Sequence, residues 1–243
     1  MSPWGSLQHR DLHSVEEMDR ADCDPQRLNK TYARFPVVNR LLSGWHGTYC
    51  TYVRPLLAEK GAASLLDIGC GSGDVARNLA LWAQRDGFRL EVTAIDPDER
   101  AYLFASRAIP AAGVTYRQAH SSELVAEGRT FDVVMSNHIL HHLDDAQLAG
   151  ILRDSEALCR GVALHNDLNR SNVSYVLFAA GFWPLGVGSY ICGDGLVSIK
   201  RSYTASELES TVPEHWSVDR NGPWHNLLVH RRPKSTELRE ERA

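Results

Sequence analysis

The sequence predicts an α/β fold: a seven-stranded, mostly parallel sheet with helices on both faces. Three observations lead there. Apolar, strand-like runs alternate with amphipathic helical segments from residue 61 onward. A turn holding Gly69, Gly71 and Gly73 follows the first of those runs directly. An acid, Asp96, closes the second. Such alternation implies parallel strands, because a parallel pair needs a crossover long enough to hold a helix.

The elements follow in order. Residues 1–24 are polar, acidic and loose, without the apolar stretch of a secretory leader. Leu28, Tyr32, Phe35, Val38, Leu41 and Leu42 recur at three- and four-residue steps, so 25–60 reads as helical, broken by Pro36 and by "SGW" at Ser43 to Trp45. "SLLDIG" is the first strand and "DVARNLALWAQ" a helix with Asp74 in its first turn. "RLEVTAID" and "DERAYLFASRAI" are the next strand and helix. "GVTYRQAH" and "FDVVMSN" are further strands, the latter followed by a helical pattern over "HILHHLDDAQLAGILRDSEAL". "GVALHND" is the fifth strand. After residues 168–203 interrupt the rhythm, a helix near Thr204 and two strands, "HWSVDRN" and "NLLVHRR", complete the sheet. The expected organisation is a helical lid (1–60), a ligand-binding core (61–167), a substrate-covering insert (168–203), the end of the core (204–233) and a mobile polar tail (234–243).

Composition narrows the function classes. With 43% hydrophobic and 23% charged residues the 243-residue chain buries an ordinary core. A formal net charge of −4 argues against general nucleic-acid binding, which needs excess Lys and Arg. Cys23, Cys50, Cys70, Cys159 and Cys192 form no CxxC pair and read as free thiols of a cytoplasmic protein. Ser171 to Gly193 lacks any charge, long enough to cross a bilayer. Its four interruptions, Gly181, Pro184, Gly186 and Gly188, make it a poor continuous helix, so no stable membrane insertion is expected. A monomer or homodimer is expected.

The glycine turn excludes two common ligands. No Lys follows the glycines, as a Walker-type phosphate loop requires. A dinucleotide fingerprint would need a small residue where Asp74 stands, and a carboxylate there repels pyrophosphate. The pattern is D-x-G-x-G-x-G, with Asp67 ending the strand, and an acid beside the turn suits a cation. Asp96, at the end of the second strand, can accept both hydroxyls of a ribose. A ribose, a cationic sulfonium and an amino-acid end are the features of S-adenosylmethionine.

"LLDIGCGSGD", "VTAIDPDE" and "FDVVMSNHILHHL" together resemble the class I S-adenosylmethionine-dependent methyltransferases, over roughly residues 64–167. The resemblance implies a Rossmann-like core. Gly69, Cys70 and Gly71 would lie against the methionine part, Asp67 would help place it, and Asp96 with Pro97 would take the ribose. Ser136 would offer its backbone near the sulfonium. The family often carries an acid after strand three for the adenine; here "QAHSSEL" has none, leaving His120, Ser121 or Ser122, with Ser121 preferred.

Methyl transfer to a hydroxyl needs alignment and a proton acceptor. His138, His141 and His142 leave the fourth strand at the edge where open α/β sheets bind ligands, and helical spacing would put His138 on one face with the other two. Asp167 closes strand five at the same edge and could orient a His base; His141 is favoured, while His142 is as readily structural. The segment also resembles the E-x-x-E-H stretch of ubiquinone-type O-methyltransferases, where a metal is held. With His at both Glu positions and no carboxylate ligand evident, no metal is expected.

The insert carries Phe178 and Trp183 among many aromatics, which suits an aromatic or lipid-like acceptor. "NDLNRS" and "GDGLVSIKRSYTASEL" resemble bacterial stand-alone small-molecule methyltransferases, so Arg170 and Arg201 become candidate acceptor contacts. Thr204 with Glu207 is a capping box, which explains Thr204 without function. The N-terminal helices faintly resemble the lid of quinone C-methyltransferases, nominating Tyr32, Asn39 and Trp45. The expected reaction is O-methylation of a small phenolic, polyketide or isoprenoid-like acceptor. C-methylation, a non-methylating cyclase of this fold and a cofactor-binding scaffold subunit remain alternatives.

Overall fold

The computed structural model describes residues 7–232; the predicted tail at 234–243 lies outside the described residues. Strands β1 (Ala62–Ile68), β2 (Arg89–Asp96), β3 (Val114–Gln118), β4 (Phe131–Asn137), β5 (Cys159–Leu168), β6 (Ser217–Asn221) and β7 (His225–Arg231) form one sheet in the order β3-β2-β1-β4-β5-β7-β6. The first five strands pair in parallel, and β7 runs antiparallel between β5 and β6. The expected seven-stranded, mostly parallel sheet is therefore present. Strand order reverses between β1 and β4, which opens a crevice at their carboxyl ends.

The helices are α1 (Pro25–Leu42), α2 (Trp45–Thr48), α3 (Arg54–Lys60), α4 (Asp74–Arg85), α5 (Glu99–Ser106), α6 (Ser121–Ala126), α7 (Asp145–Leu158), α8 (Asn172–Gly186), α9 (Ile191–Arg201) and α10 (Ala205–Thr211). Two apolar clusters cover the faces of the sheet. Tyr49, Val53, Leu57 and Leu79 pack on one, and Leu124, Leu148, Leu152 and Leu208 on the other. Fully burying each such side chain stabilises the fold by about 1.5–3 kcal/mol. Strand β4 is buried along nearly its whole length, as a central parallel strand with both faces covered must be.

Three expectations differ from the structure. Helix α1 runs through Pro36 and ends only at Ser43, before the left-handed Gly44. Its start is set by Asp24, whose carboxylate accepts from Gln26 and Arg27 N–H, with Pro25 at the first turn. The segment after β4 is no continuous helix. Leu140–His142 is a single 3-10 turn, and α7 begins afresh at Asp145 under a capping box of Asp144 and Gln147. Finally, residues 7–24 are not loose. Arg10 donates to the carbonyls of Leu143 and Arg201, and Asp194 accepts from Glu17 and Met18 N–H at 2.9 and 3.0 Å. They form a strap across the carboxyl edge of the sheet.

The uncharged stretch forms two helices, α8 and α9, separated at Val187–Tyr190. No helix among the described residues is long and apolar enough to cross a membrane.

Candidate active site

A cavity of about 700 Å³ opens at the crevice between β1 and β4. Its wall joins three regions: the glycine turn, the histidine-bearing loop after β4, and an apolar chamber under α1, α8 and α9.

The turn is held open by backbone geometry. Gly69 and Cys70 N–H both donate to Ile95 C=O, at 2.8 and 3.0 Å, which pins the turn to β2. Gly69 has φ +69°, and a Cβ there would lie 2.7 Å from Ile139 Cγ2. Only glycine satisfies both constraints. Asp96 caps the arrangement: one carboxylate oxygen accepts from Gly71 N–H at 2.9 Å, the other from Asp98 N–H at 3.0 Å. Each oxygen keeps a lone pair for a hydroxyl.

Charge at this end is one-sided. Asp67 is 1% exposed, and its Oδ2 has no hydrogen-bond partner among the described residues. Burial, with Asp74 and Asp96 nearby, raises its carboxyl well above the usual range. Asp74 is also raised by burial, and its contacts are neutral donors, Asn39 Nδ2 at 3.1 Å and Ser72 Oγ at 2.8 Å. Burial raises Asp96 too. No Lys or Arg lines the cavity among the described residues. A buried carboxylate without a partner is costly, so this end fits a ligand that brings positive charge and hydrogen-bond donors. S-adenosylmethionine, with its sulfonium, ammonium and ribose hydroxyls, meets that test.

The histidines separate into two roles. His138 has φ +59°, a sparsely populated conformation for a non-glycine residue. That turn sends its ring back against His225, Nε2 to Nε2 at 2.7 Å. Burial holds His138 down to about 4 and His225 to about 3, so both are neutral at pH 7. His138 lines the cavity, and its Nδ1 makes no hydrogen bond among the described residues. His141 instead turns toward carboxylates. Its Nδ1 lies 2.7 Å from Asp167 Oδ1, its N–H donates to Asp167 Oδ2 at 2.7 Å, and its Nε2 lies 3.3 Å from Glu16 Oε1. Burial opposes charge on His141, but Asp167 and Glu16 outweigh it and raise the imidazolium to about 10. The same contacts hold Asp167 well below its ordinary value and Glu16 at about 2, against burial in both cases. His141 thus has both ring nitrogens committed. His142 Nδ1 faces Asp19 at 3.1 Å. The three histidines do not share a helical face, because the 3-10 turn and the left-handed His138 break the helical spacing.

The other expected site residues divide. Cys70, Pro97, Ser121, Asn39 and Phe178 line the cavity. Phe178 stacks on Phe182 at 4.6 Å in the apolar chamber, with Phe35, Val38 and Ile191 nearby. Ser136 is buried and bonded to His165 Nδ1 at 2.7 Å. Trp45 is buried behind the wall, its Nε1 donating to Asn137 Oδ1 at 2.8 Å. Tyr32 packs edge-on against Phe35 and borders a separate groove. Arg170 and Arg201 lie elsewhere than expected. Arg170 clamps Glu207 and the carbonyls of Leu7 and Ser202, while Arg201 donates to the carbonyls of His141 and His142 from behind. Trp183 is 64% exposed on α8, away from the cavity.

Sequence reasoning missed Glu16, Asp19, Asp154 and Asp194, all in the cavity wall. Asp154, on α7, accepts from Ser121 Oγ at 2.6 Å, which puts a carboxylate in the cavity wall beside the loop after β3. Asp194 belongs to the "GDGLVSIKRSYTASEL" stretch, but nothing in that stretch gave it a role in the cavity; Glu16, Asp19 and Asp154 sit in no motif, and all four reach the wall through tertiary packing.

Comparison with known proteins agrees with this geometry. A family model described as a methyltransferase domain matches residues 65–160. A ubiquinone biosynthesis O-methyltransferase of Methylocella silvestris is 36% identical over 121 residues, 48% of this chain and 44% of that protein. One from Rhizobium etli is 26% identical over 189 residues, covering 70% of this chain and 73% of the relative. The chain thus spans under half the length of the first and about three quarters of the second. Among solved structures, the plantazolicin methyltransferase BpumL in complex with SAH superposes with a TM-score of 0.54 at 14% identity, over 85% of this chain and 96% of that one. The magnesium protoporphyrin IX methyltransferase of Synechocystis with bound SAM gives 0.52 at 14% identity, over 91% and 99%. At that identity the likeness concerns the fold.

Proposed function

The chain belongs to the class I S-adenosylmethionine-dependent methyltransferases, and from that premise we propose that it methylates a hydroxyl of a small, uncharged phenolic acceptor carrying an apolar isoprenoid or polyketide body, in the cytoplasm. One observation carries this reading. A single cavity joins the carboxylate-walled turn to a neutral histidine and an apolar chamber; among the described residues no Lys or Arg lines it, and the imidazolium of His141 in its wall is already paired with Asp167 and Glu16. A carboxylated or phosphorylated acceptor would meet the carboxylates there with no Lys or Arg to pair with. The curated relatives named as ubiquinone biosynthesis O-methyltransferases support oxygen as the methylated atom.

Bound S-adenosylmethionine supplies an activated methyl group on a sulfonium leaving group. Asp96 would hold its ribose diol, and Asp67 and Asp74 would face its cationic end. The remaining work falls to the histidines. His138 is neutral, because burial disfavours its charged form, and its free Nδ1 can accept the acceptor's hydroxyl proton. His225 holds the ring from the other nitrogen. A low pKa is no obstacle: a hydroxyl becomes strongly acidic as its oxygen is alkylated, so a weak base suffices. His141, expected as the base, serves here as a fixed positive charge with no lone pair to offer. Residues of the strap and of α1 form part of the cavity wall, where they would shield a bound acceptor from water.

The test is incubation with S-adenosylmethionine labelled at the methyl carbon, against phenols and catechols with apolar tails and against the same compounds bearing a carboxyl group. The expected product is a labelled methyl ether of the uncarboxylated members. Preference for the acids, or label only on carbon, would contradict the reading.

A further inference from the structure

Helix α8 carries no charge, and it turns an apolar face outward. Its inner side is settled by packing: Ser174 and Phe178 are buried, and Gly195 on α9 leaves room for the Phe178 ring, since a Cβ there would lie 2.3 Å from its Cζ. The outer side of such a helix is ordinarily polar. Here Val173, Val176, Leu177, Trp183 and Val187 stand 43–66% exposed. Ala180, Gly181 and Pro184 are exposed between them, and Asn172 is the one polar residue on that side. We propose that this face pairs with the same face of a second copy of the chain, in an antiparallel, two-fold symmetric homodimer centred on Ala180.

The face is complementary to itself. Val173, Val176, Leu177, Ala180 and Pro184 recur at three- and four-residue steps, with Trp183 and Val187 flanking the far end, so they form one stripe. The stripe is also spaced evenly about Ala180. Antiparallel helices read each other in opposite order. A two-fold axis at Ala180 therefore sets Val173 against the second copy's Val187, Val176 against its Pro184 and Leu177 against its Trp183. The small residues Ala180 and Gly181 fall at the crossing point, where side-chain size decides how closely two helices approach. A two-fold contact also brings groups near the axis against their own kind, so a charge there would meet its like. Ser171 to Gly193 contains none.

The area suits a stable pair. Arg34 on α1 donates to the carbonyls of Leu185 and Val187, which seats α1 alongside α8. Val37 and Leu41 share that side of α1 with Arg34 and are 46% and 66% exposed. The seven large side chains amount to about four fully exposed ones, on the order of 600 Å² of apolar surface. That is the upper end of what a monomer shows, about 300–600 Å². It approaches the roughly 800 Å² that each partner of a stable interface buries, and the small residues and rim around the stripe extend it. A bilayer surface would also take an apolar stripe, but it makes no use of small residues at the centre or of even spacing about them. The inner faces of the same two helices wall the apolar chamber through Phe35, Val38 and Phe178. Pairing would brace that wall from outside.

Self-association is read as mass and not as turnover, so its outcome is independent of the methyl-transfer reading. Sedimentation velocity of the full chain at micromolar concentrations should give a species of twice the 27.1 kDa chain mass. Leu177→Glu, which sets a charge against an apolar partner on each side of the axis, should weaken the dimer by about 100-fold or more. Trp183→Ala should weaken it by about 10–100-fold. Both side chains are exposed in the single chain, and a thermal melt checks that each variant folds. Ala180→Cys should yield a disulfide-linked dimer on mild oxidation, in excess of the wild type. A wild-type chain that stays monomeric, whether or not it co-sediments with phosphatidylcholine–phosphatidylglycerol vesicles, would overturn the pairing. So would a dimer that Leu177→Glu leaves intact, or one that Ala180→Cys does not cross-link.

Discussion

The two halves of the cavity are built in opposite ways. The turn that faces the cofactor is a run of neighbours in sequence: Asp67, Gly69, Cys70, Gly71 and Asp74, closed by one residue from the next strand, Asp96. The acceptor half gathers Glu16 from the strap, His138 and His141 from the loop after β4, Asp167 from β5 and His225 from β7. The first half depends on backbone shape, set by local sequence. The second depends on packing between distant segments. Its charges are therefore tied to the stability of the fold, whereas those of the turn wait for a ligand.

The difference can be broken most forcefully at Asp167. Its carboxylate is buried against His141, so Asp167→Ala leaves a charged imidazole without its closest partner and should cost about 3–5 kcal/mol of unfolding free energy, measured by denaturant titration. A loss no greater than that of an exposed ion pair would show that the acceptor half is not held by this network. His138→Gln should lower turnover by about 100-fold or more with cofactor affinity unchanged. A larger turnover loss from His141→Gln at unchanged thermal stability would return the base to His141.

A pH titration sharpens the comparison at smaller amplitude. His141 is raised from 6.5 to about 10 in the folded protein. A raised histidine contributes stability that is complete below its unfolded value and lost as pH climbs to its folded value. The protein should therefore lose melting temperature between about pH 6.5 and 10, at about 2–4 °C for each kcal/mol. His141→Gln should flatten that decline. An equal slope in the variant would assign the pH dependence to other groups.

The same contrast explains what the sequence revealed. Strand and helix alternation, the glycine turn and Asp96 were legible because each is local: a periodicity, a conformational demand, an acid at a strand end. The capping box at Thr204 and Glu207 was legible for that reason, although the clamp of Arg170 on Glu207 was not. Glu16 lies in a polar stretch with no periodicity, and nothing local distinguishes it from Glu17. Its burial follows from Asp194 and Ser198 on α9 gripping the strap. The helical spacing of His138, His141 and His142 misled because one left-handed residue re-aimed the first ring. Arg170 and Arg201 misled because a cation near a ligand pocket can as well be tied to carbonyls behind it.

The most direct test of the central claim is calorimetric titration of S-adenosylmethionine into wild-type protein and Asp96→Ala side by side. A carboxylate-walled turn that grips a ribose diol predicts one site per chain in the wild type and a loss of about 1–3 kcal/mol of binding free energy in the variant. No heat of binding in the wild type, or the same affinity in both proteins, would contradict it.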